Sequence, residues 1–286
     1  MKFTRGPGRV ASLRKSTSLL IFLVAFVLLI LYYIVKSSST SRSSLEYFTE
    51  KEPVYCVMIT KDSRVNYALH AVKNFLTQDY DNAKLIIISE SKIEDRSLND
   101  DRILQVPVRR DGETAPTLGE LRNIALEFVP LGGLWTVWDD DDIRSTGYLS
   151  SMKHFLGKKD YVFITKRIEY NLNTGYSWVM QLKPGFVLFF GRKRPSIRYD
   201  EVNVNEDVRL RDHIKSSFKT VVVDNDPRMY IRTVHDDNTS ILVNKLKKNI
   251  KDTSRNMIYF ESEINDAELE YTREKIATLN TFLNRK

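Results

Sequence analysis

The chain has 286 residues, 42% of them hydrophobic and 11% aromatic, enough to bury the core of one large domain or two small ones. Its formal charge of +7 suggests a nucleic-acid partner, but seven basic and no acidic residues fall within positions 1–45: Lys2, Arg5, Arg9, Arg14, Lys15, Lys36 and Arg42. Without them, 37 basic residues face 37 acidic ones; the body is neutral, and no nucleic-acid partner is expected.

Residues 1–18 form a basic tail, expected to be cytoplasmic. From Leu19 to Val35, "LLIFLVAFVLLILYYIV" is an uncharged apolar run bracketed by Lys15 and Lys36 and closed by Tyr32 and Tyr33. Its length is at the short end of what spans a bilayer core of about 30 Å. More basic residues precede it than follow it, the pattern of a type II signal-anchor with the remainder translocated. A cleaved signal peptide is the rival, opposed by the length of the run and by the lack of a small-x-small site before Lys36. Residues 36–50, opening "KSSSTSRSSL", are Ser-rich and read as a flexible stem.

Residues 51–260 carry the predicted domain. "PVYCVMIT" (Pro53 to Thr60) is a buried-strand run, and its Cys56 reads as a small buried hydrophobe. As a single cysteine, it excludes an intrachain disulfide framework. A helix follows over Asn66 to Gln78, then strands at Leu85–Ile88 and Ile103–Val108, a helix in "TLGELRNIALEFV" with Thr117 as its cap, and a strand in "LWTVW". This alternation predicts an α/β fold, a mostly parallel sheet flanked by helices, with ligands at the carboxyl ends of its strands. Beyond Tyr148, "YVFITKRIEYN", "GFVLFFGR" and "TVVVDN" read as strands and "VRLRDHIKS" as a helix. Residues 261–286 are expected to form a C-terminal amphipathic helix carrying Ile264, Leu269, Ile276, Leu279 and Phe282.

"WTVWDDDDIRSTGYL", residues 135–149, sets four carboxylates directly after a predicted strand. Two unit charges about 4 Å apart repel by roughly 4 kcal/mol at an effective dielectric near 20, so something must neutralise them. In an extended backbone Asp139 and Asp141 would point one way and Asp140 and Asp142 the other. Two carboxylates on one side suit a hard divalent cation completed by substrate phosphates and water. An EF-hand is excluded because Arg144 stands where its Gly is needed. A solvated acidic turn is the alternative; the position after a buried strand favours a metal.

Several segments together carry a family resemblance. "VYCVMITKDSRVNYALHAVKNFLTQDY", "LGELRNIALE", "VWDDDDI", "NEDVRLRDHI" and "YIRTVHDDNTS" follow one another in the order and spacing of glycosyltransferase family 2. Across roughly Val54 to Ser240 the chain resembles these inverting, sugar-nucleotide-dependent enzymes. The resemblance implies a GT-A (Rossmann-like) fold, here preceded by one transmembrane helix, and Mn2+ or Mg2+ as cofactor. It implies a nucleotide-sugar donor, by family frequency a UDP-sugar, and a glycan, protein or lipid acceptor. Thr60 and Asp62 would touch the nucleoside; Glu90 stands where the family usually has an Asp, which leaves the base open. Arg122 and Asn123 would bind or order the nucleotide, and Asp139, with Asp140 beside it, would reach the ribose side. Asp141 would hold the metal, with Asp142 as second ligand and His235 completing the site. Asp207 would be the general base, supported by Glu206, and Asn238 would fix the late loop.

Plainer readings stand beside these. Glu206 and Asp207 suit a helix N-terminus, Arg122 could lie on a helix surface, and His235 could be structural. "NTS" at Asn238 is formally a glycosylation acceptor. A nucleotidyltransferase would want a Gly-rich phosphate loop, which "TKDSR" is not; a membrane-anchored, non-catalytic binding protein is the other rival. In a eukaryote the domain would face the Golgi or ER lumen.

Overall fold

A computed structural model describes residues 51–109, 115–182, 188–236, 259–262 and 264–284. The predicted tail, transmembrane segment and stem, and Asn238, lie outside the described residues. Among the described residues no helix is long and apolar enough to cross a membrane.

The first sheet is built from continuous apolar runs. β1 (Val54–Ile59) buries Val54, Cys56, Val57 and Met58, and β2 (Ala83–Ser89) buries every residue but Lys84. Such runs need no polar alternation because both faces are covered. β3 (Ile103–Pro107) and β4 (Leu134–Val137) flank them, followed outward by β9 (Phe189–Arg192), β6 (Tyr161–Ile164) and β10 (Thr220–Val223). The order is β10-β6-β9-β4-β1-β2-β3, parallel except for β9.

On one face α1 (Val65–Leu76) and α3 (Tyr148–Leu156) bring Val72, Phe75 and Leu149 to Leu85 and Trp138. On the other, α2 (Leu118–Glu127) and α4 (Glu206–Ser217) bring Leu121 and Leu210 to Val57, Ile86 and Trp135. Each such side chain contributes about 1.5–3 kcal/mol on burial.

A second sheet has the order β12-β8-β7-β11-β5. It comprises β5 (Ile143–Arg144), β7 (Lys166–Asn171), β8 (Ser177–Leu182), β11 (Tyr230–Val234) and β12 (Tyr259–Ser262). "YVFITKRIEYN" is therefore two strands in two sheets. The side chain of Asn225 makes the break, its Oδ1 accepting the backbone N–H groups of both Thr165 and Lys166 at 3.0 Å.

The C-terminal helix α5 (Asp266–Leu283) starts later than Glu261, because Glu261 and Ser262 belong to β12 and Asn265 caps the helix in a reciprocal box with Glu268. Its Ile276 and Leu279 pack on Ile143, Ile168 and Ile231 of the second sheet.

Candidate active site

The strand order reverses between β4 and β1, the position where open α/β sheets bind ligands beyond their carboxyl ends. There the Thr60 hydroxyl, directly after β1, donates to Asp140 Oδ2 at 2.8 Å. One strand over, the loops after β1 and β2 are tied together. The Asp62 N–H donates to Glu90 Oε2 at 2.9 Å, and the Asp62 carboxylate accepts from the Ser91 N–H and hydroxyl at 3.1 and 2.8 Å. The predicted nucleoside-side residues Thr60, Asp62 and Glu90 thus share one rim with Asp140.

The acidic run does not continue the strand. Trp138 is fixed by its N–H to the Val57 carbonyl and its indole N–H to the Ala71 carbonyl, and the chain then turns at Asp140 and Asp141. Alternation is lost, and the pairing expected from an extended backbone is replaced by another. Asp140 and Asp141 share Arg64, while Asp139 and Asp142 share the hydroxyl of Tyr230. Asp140, Asp141 and Asp142 are 4%, 7% and 4% exposed, which rules out a solvated acidic turn.

Arginines of the protein neutralise the cluster. Arg64 Nη2 lies 2.6 Å from both Asp140 Oδ1 and Asp141 Oδ2, and His235 Nε2 lies 3.0 Å from Asp141 Oδ2. The Arg144 guanidinium is buried against the rings of Trp138 and Tyr230, 4.2 and 4.8 Å from their centroids, and donates to the Val137 carbonyl. Arg232 reaches from the second sheet, 3.8 Å from Glu169, and Glu169 is held by Arg167 at 2.6 Å. Arg122 lies 3.5 Å from Glu206 and 3.9 Å from Asp139. Among the described residues, five guanidinium groups (64, 122, 144, 167 and 232) face seven carboxylates (139–142, 169, 206 and 207).

The imbalance is visible in the carboxyl groups. Burial, then the charge of Asp141, pushes Asp140 up to about 7. Burial, followed by Asp141 and Asp139, drives Asp142 well above the usual carboxylate range. Burial also acts to raise Asp141, but His235 and Arg64 outweigh it and hold that carboxyl well below the range.

Two of the expected site residues engage other parts of the protein. Asp142 was expected as a metal ligand, but its Oδ2 accepts from Tyr230 and its Oδ1 from the Thr233 N–H at 3.2 Å, so both oxygens are committed to β11. Asn123 was expected at the nucleotide, but its amide exchanges hydrogen bonds with the Tyr199 backbone at 2.8 and 3.0 Å. Consecutive helical residues diverge by about 100°, so Arg122 faces the cluster while Asn123 faces away. The same packing explains Gly119: a Cβ there would lie 1.8 Å from the Asp200 carbonyl oxygen.

Glu206 opens α4 after Asn205, which adopts a left-handed φ of 64° and makes no side-chain cap. Glu206 is buried and raised by that burial, with Arg122 opposing the shift. Asp207, half-buried beside it, accepts the Val208 N–H at 2.7 Å.

Among the described residues no three carboxylate, imidazole or thiolate groups converge on one point. What converges is Asp140, Asp141 and one guanidinium nitrogen of Arg64, 2.6 Å from an oxygen of each. Two hard oxygens with an imidazole against one of them fit a cation of the Mg or Mn type, which brings phosphate and water for its remaining ligands. No role was expected of Arg64 or Arg144, nor of Tyr230 and Arg232 within "YIRTVHDDNTS". Arg64 ends "TKDSR", weighed only as a failed phosphate loop, and Arg144 directly follows the acidic run.

No protein-family profile matches the sequence, and no curated protein matches it. Solved structures do. S. aureus TarS 1–349 in complex with UDP aligns with a TM-score of 0.50 at 15% identity, over 82% of this chain and 71% of that one. The UDP-GlcNAc complex of the same fragment aligns at 0.49 with 14% identity, over 81% and 72%. The mannosyltransferase PcManGT from Pyrobaculum calidifontis, in complex with GDP-Man and Mn2+, aligns at 0.46 with 12% identity, over 82% and 75%. A longer TarS chain is covered over only 37% of its length. The likeness to the UDP-bound TarS fragment is one of fold, and the fold is GT-A-like.

Proposed function

We propose that this chain is a metal-dependent inverting glycosyltransferase that moves a sugar from a UDP-sugar to an acceptor hydroxyl on a glycan, protein or lipid. The observation that carries this reading is Arg122. One guanidinium touches Asp139 on the donor side and Glu206 at the head of the helix bearing Asp207, so both groups border a common space. Inversion needs a base that takes the acceptor proton while the hydroxyl attacks from the face opposite the leaving diphosphate. Asp207 has that role, on an element separate from the acidic turn, with Glu206 held beside it by Arg122. Thr60, Asp62 and Glu90 border the nucleoside, and UDP in the TarS fragment of similar fold supports a uridine nucleotide. Asp141 and His235 would hold Mn2+ or Mg2+, which as a Lewis acid stabilises charge on a leaving diphosphate. Residues 19–35 would anchor the protein as a single-pass type II membrane protein with its domain in the Golgi lumen.

The test is turnover of UDP-sugars by the purified full chain with Mn2+. Asp207→Asn is expected to lower kcat by about 10²–10⁴ while UDP affinity stays within about twofold. Full turnover by that variant would return Asp207 to a helix-terminal role, and UDP binding without turnover of any donor by the wild type would favour the non-catalytic binding protein.

A further inference from the structure

Arg64 closes the short 3-10 turn after β1, immediately before α1. Its guanidinium lies over the Tyr67 ring at 5.5 Å, and that ring stacks on His235 at 4.7 Å and 17°. Nη2 stands between two carboxylate oxygens, one each of Asp140 and Asp141, at 2.6 Å each. This is the geometry of a charge placed between charges, in the position a divalent cation would take beside Asp141 and His235. The two cations cannot share it: at such separations a guanidinium and a divalent ion repel more strongly than two unit charges do.

The charge balance gives the exchange a direction. The network sets five guanidinium groups against seven carboxylates, so the carboxylates are in excess. A divalent ion entering alone would leave the mostly buried Arg64 side chain, 13% exposed, without its two carboxylates. A diphosphate entering alone would add negative charge beside the acidic turn. Entering together, the ion offsets the charge of the diphosphate, and the displaced guanidinium gains phosphate oxygens, which its planar fork suits.

Building on the glycosyltransferase reading, we propose that Arg64 is a resident counter-ion of the Asp140–Asp141 pair, displaced by the metal and re-engaged by the donor diphosphate, so that metal and nucleotide bind as a coupled pair. Such coupling is reciprocal: each ligand tightens the other by the same factor.

The experiment measures Mn2+ binding to the full chain by the EPR signal of the free ion, with and without UDP. In the wild type, UDP is expected to tighten Mn2+ binding about tenfold or more. In Arg64→Ala, Mn2+ alone should bind about tenfold tighter than to the wild type, while UDP in the presence of Mn2+ binds weaker and the coupling falls below about threefold. A purely structural ion pair would not move these two affinities in opposite directions. Arg64→Lys keeps the charge and should bind Mn2+ alone as weakly as the wild type. Should the Ala variant fail to give a cooperative melt, Arg64→Gln takes its place with a smaller tightening expected. Mn2+ affinity unchanged or weakened in the neutral variant that folds overturns the proposal. Absence of UDP binding to the wild type would instead sink the nucleotide reading, while Mn2+ binding to the neutral variant still decides the place of Arg64.

Discussion

In the first sheet, Val57, Ile86 and Trp135 are buried on one face and Cys56, Leu85 and Ile87 on the other, while the ionisable groups of the site wait beyond the strand ends. In the second sheet the charges lie within the strands. Glu169 is paired in register with Arg232 on β11, Arg144 with Tyr230, and Arg167 sits two residues before Glu169 on the same face. Only the opposite face, with Ile143, Ile168, Val179 and Ile231 under α5, is apolar. Apolar burial stabilises residue by residue, whereas buried charges cost several kcal/mol each and are tolerated only as a connected set. The ionic face of the second sheet is thus poorly suited to stabilising the fold and well suited to balancing the acidic turn, which Arg232 and Arg144 reach through Asp142.

Breaking one link in that set should give the largest effect. Glu169→Ala leaves Arg167 without the carboxylate that its Nε and Nη2 contact at 2.7 and 2.6 Å, and weakens the hold on Arg232. A loss of about 3–5 kcal/mol in denaturant unfolding is expected. The double replacement Arg167→Met with Glu169→Leu should recover only the part due to Arg167, because Arg232 still loses its nearest carboxylate. Leu85→Ala in the first sheet, at about 2–5 kcal/mol, has no such second-site rescue. A cost below about 1 kcal/mol for Glu169→Ala would show that the charges are not coupled.

This contrast also explains what the sequence revealed. The first sheet was legible because "VYCVMIT" and "AKLIIISE" are apolar without alternation, and the start of α2 because Thr117 marks its cap. Of the second, only β7 fell inside a predicted strand run: "IR" and "YIRTV" mix charge with apolar residues, "SWVMQL" mixes polar with apolar ones, and neither a helical nor a strand period singles them out. At the site, residue types were legible but directions were not. Four aspartates after a strand pointed to a cation, yet only the turn at Asp140 and Asp141 reveals that Arg64 is the partner they share. The direction of Asn123 was hidden for a similar reason, since adjacency to Arg122 in sequence is divergence on a helix.

His70 shows how the first sheet's surroundings treat an ionisable group that has no counter-charge. It lies on α1, 4% exposed, edge-on to Phe282 of α5 at 5.5 Å, and its Nδ1 is buried without a hydrogen-bond partner. Burial, with Lys73 adding to it, lowers its pKa from 6.5 to about 4. Above pH 6.5 the ring is neutral in both folded and unfolded chains and contributes no pH dependence. Between pH 6.5 and 4 the unfolded chain takes up a proton that the folded one refuses, so stability falls as pH falls, by up to about 3 kcal/mol. Thermal melts over this range should show the decline, and His70→Phe should flatten this part of it; an unchanged slope would mean that the ring titrates normally in the folded state.

The smallest effect belongs to the most local signal. Thr117 and Glu120 form a reciprocal box, with the Glu120 N–H donating to Thr117 Oγ1 at 3.2 Å and the Thr117 N–H to Glu120 Oε2 at 2.7 Å. Thr117→Ala should cost about 1 kcal/mol, or roughly 2–4 °C in Tm, and Thr117→Ser much less. Because α2 also carries Arg122, the comparison can be sharpened further. If helix capping only adds stability, the Ala variant loses Tm while UDP affinity is unchanged. A parallel loss of UDP affinity would show that the start of α2 positions Arg122 over Tyr199, and that even the apolar half of the molecule is coupled to the charges at its rim.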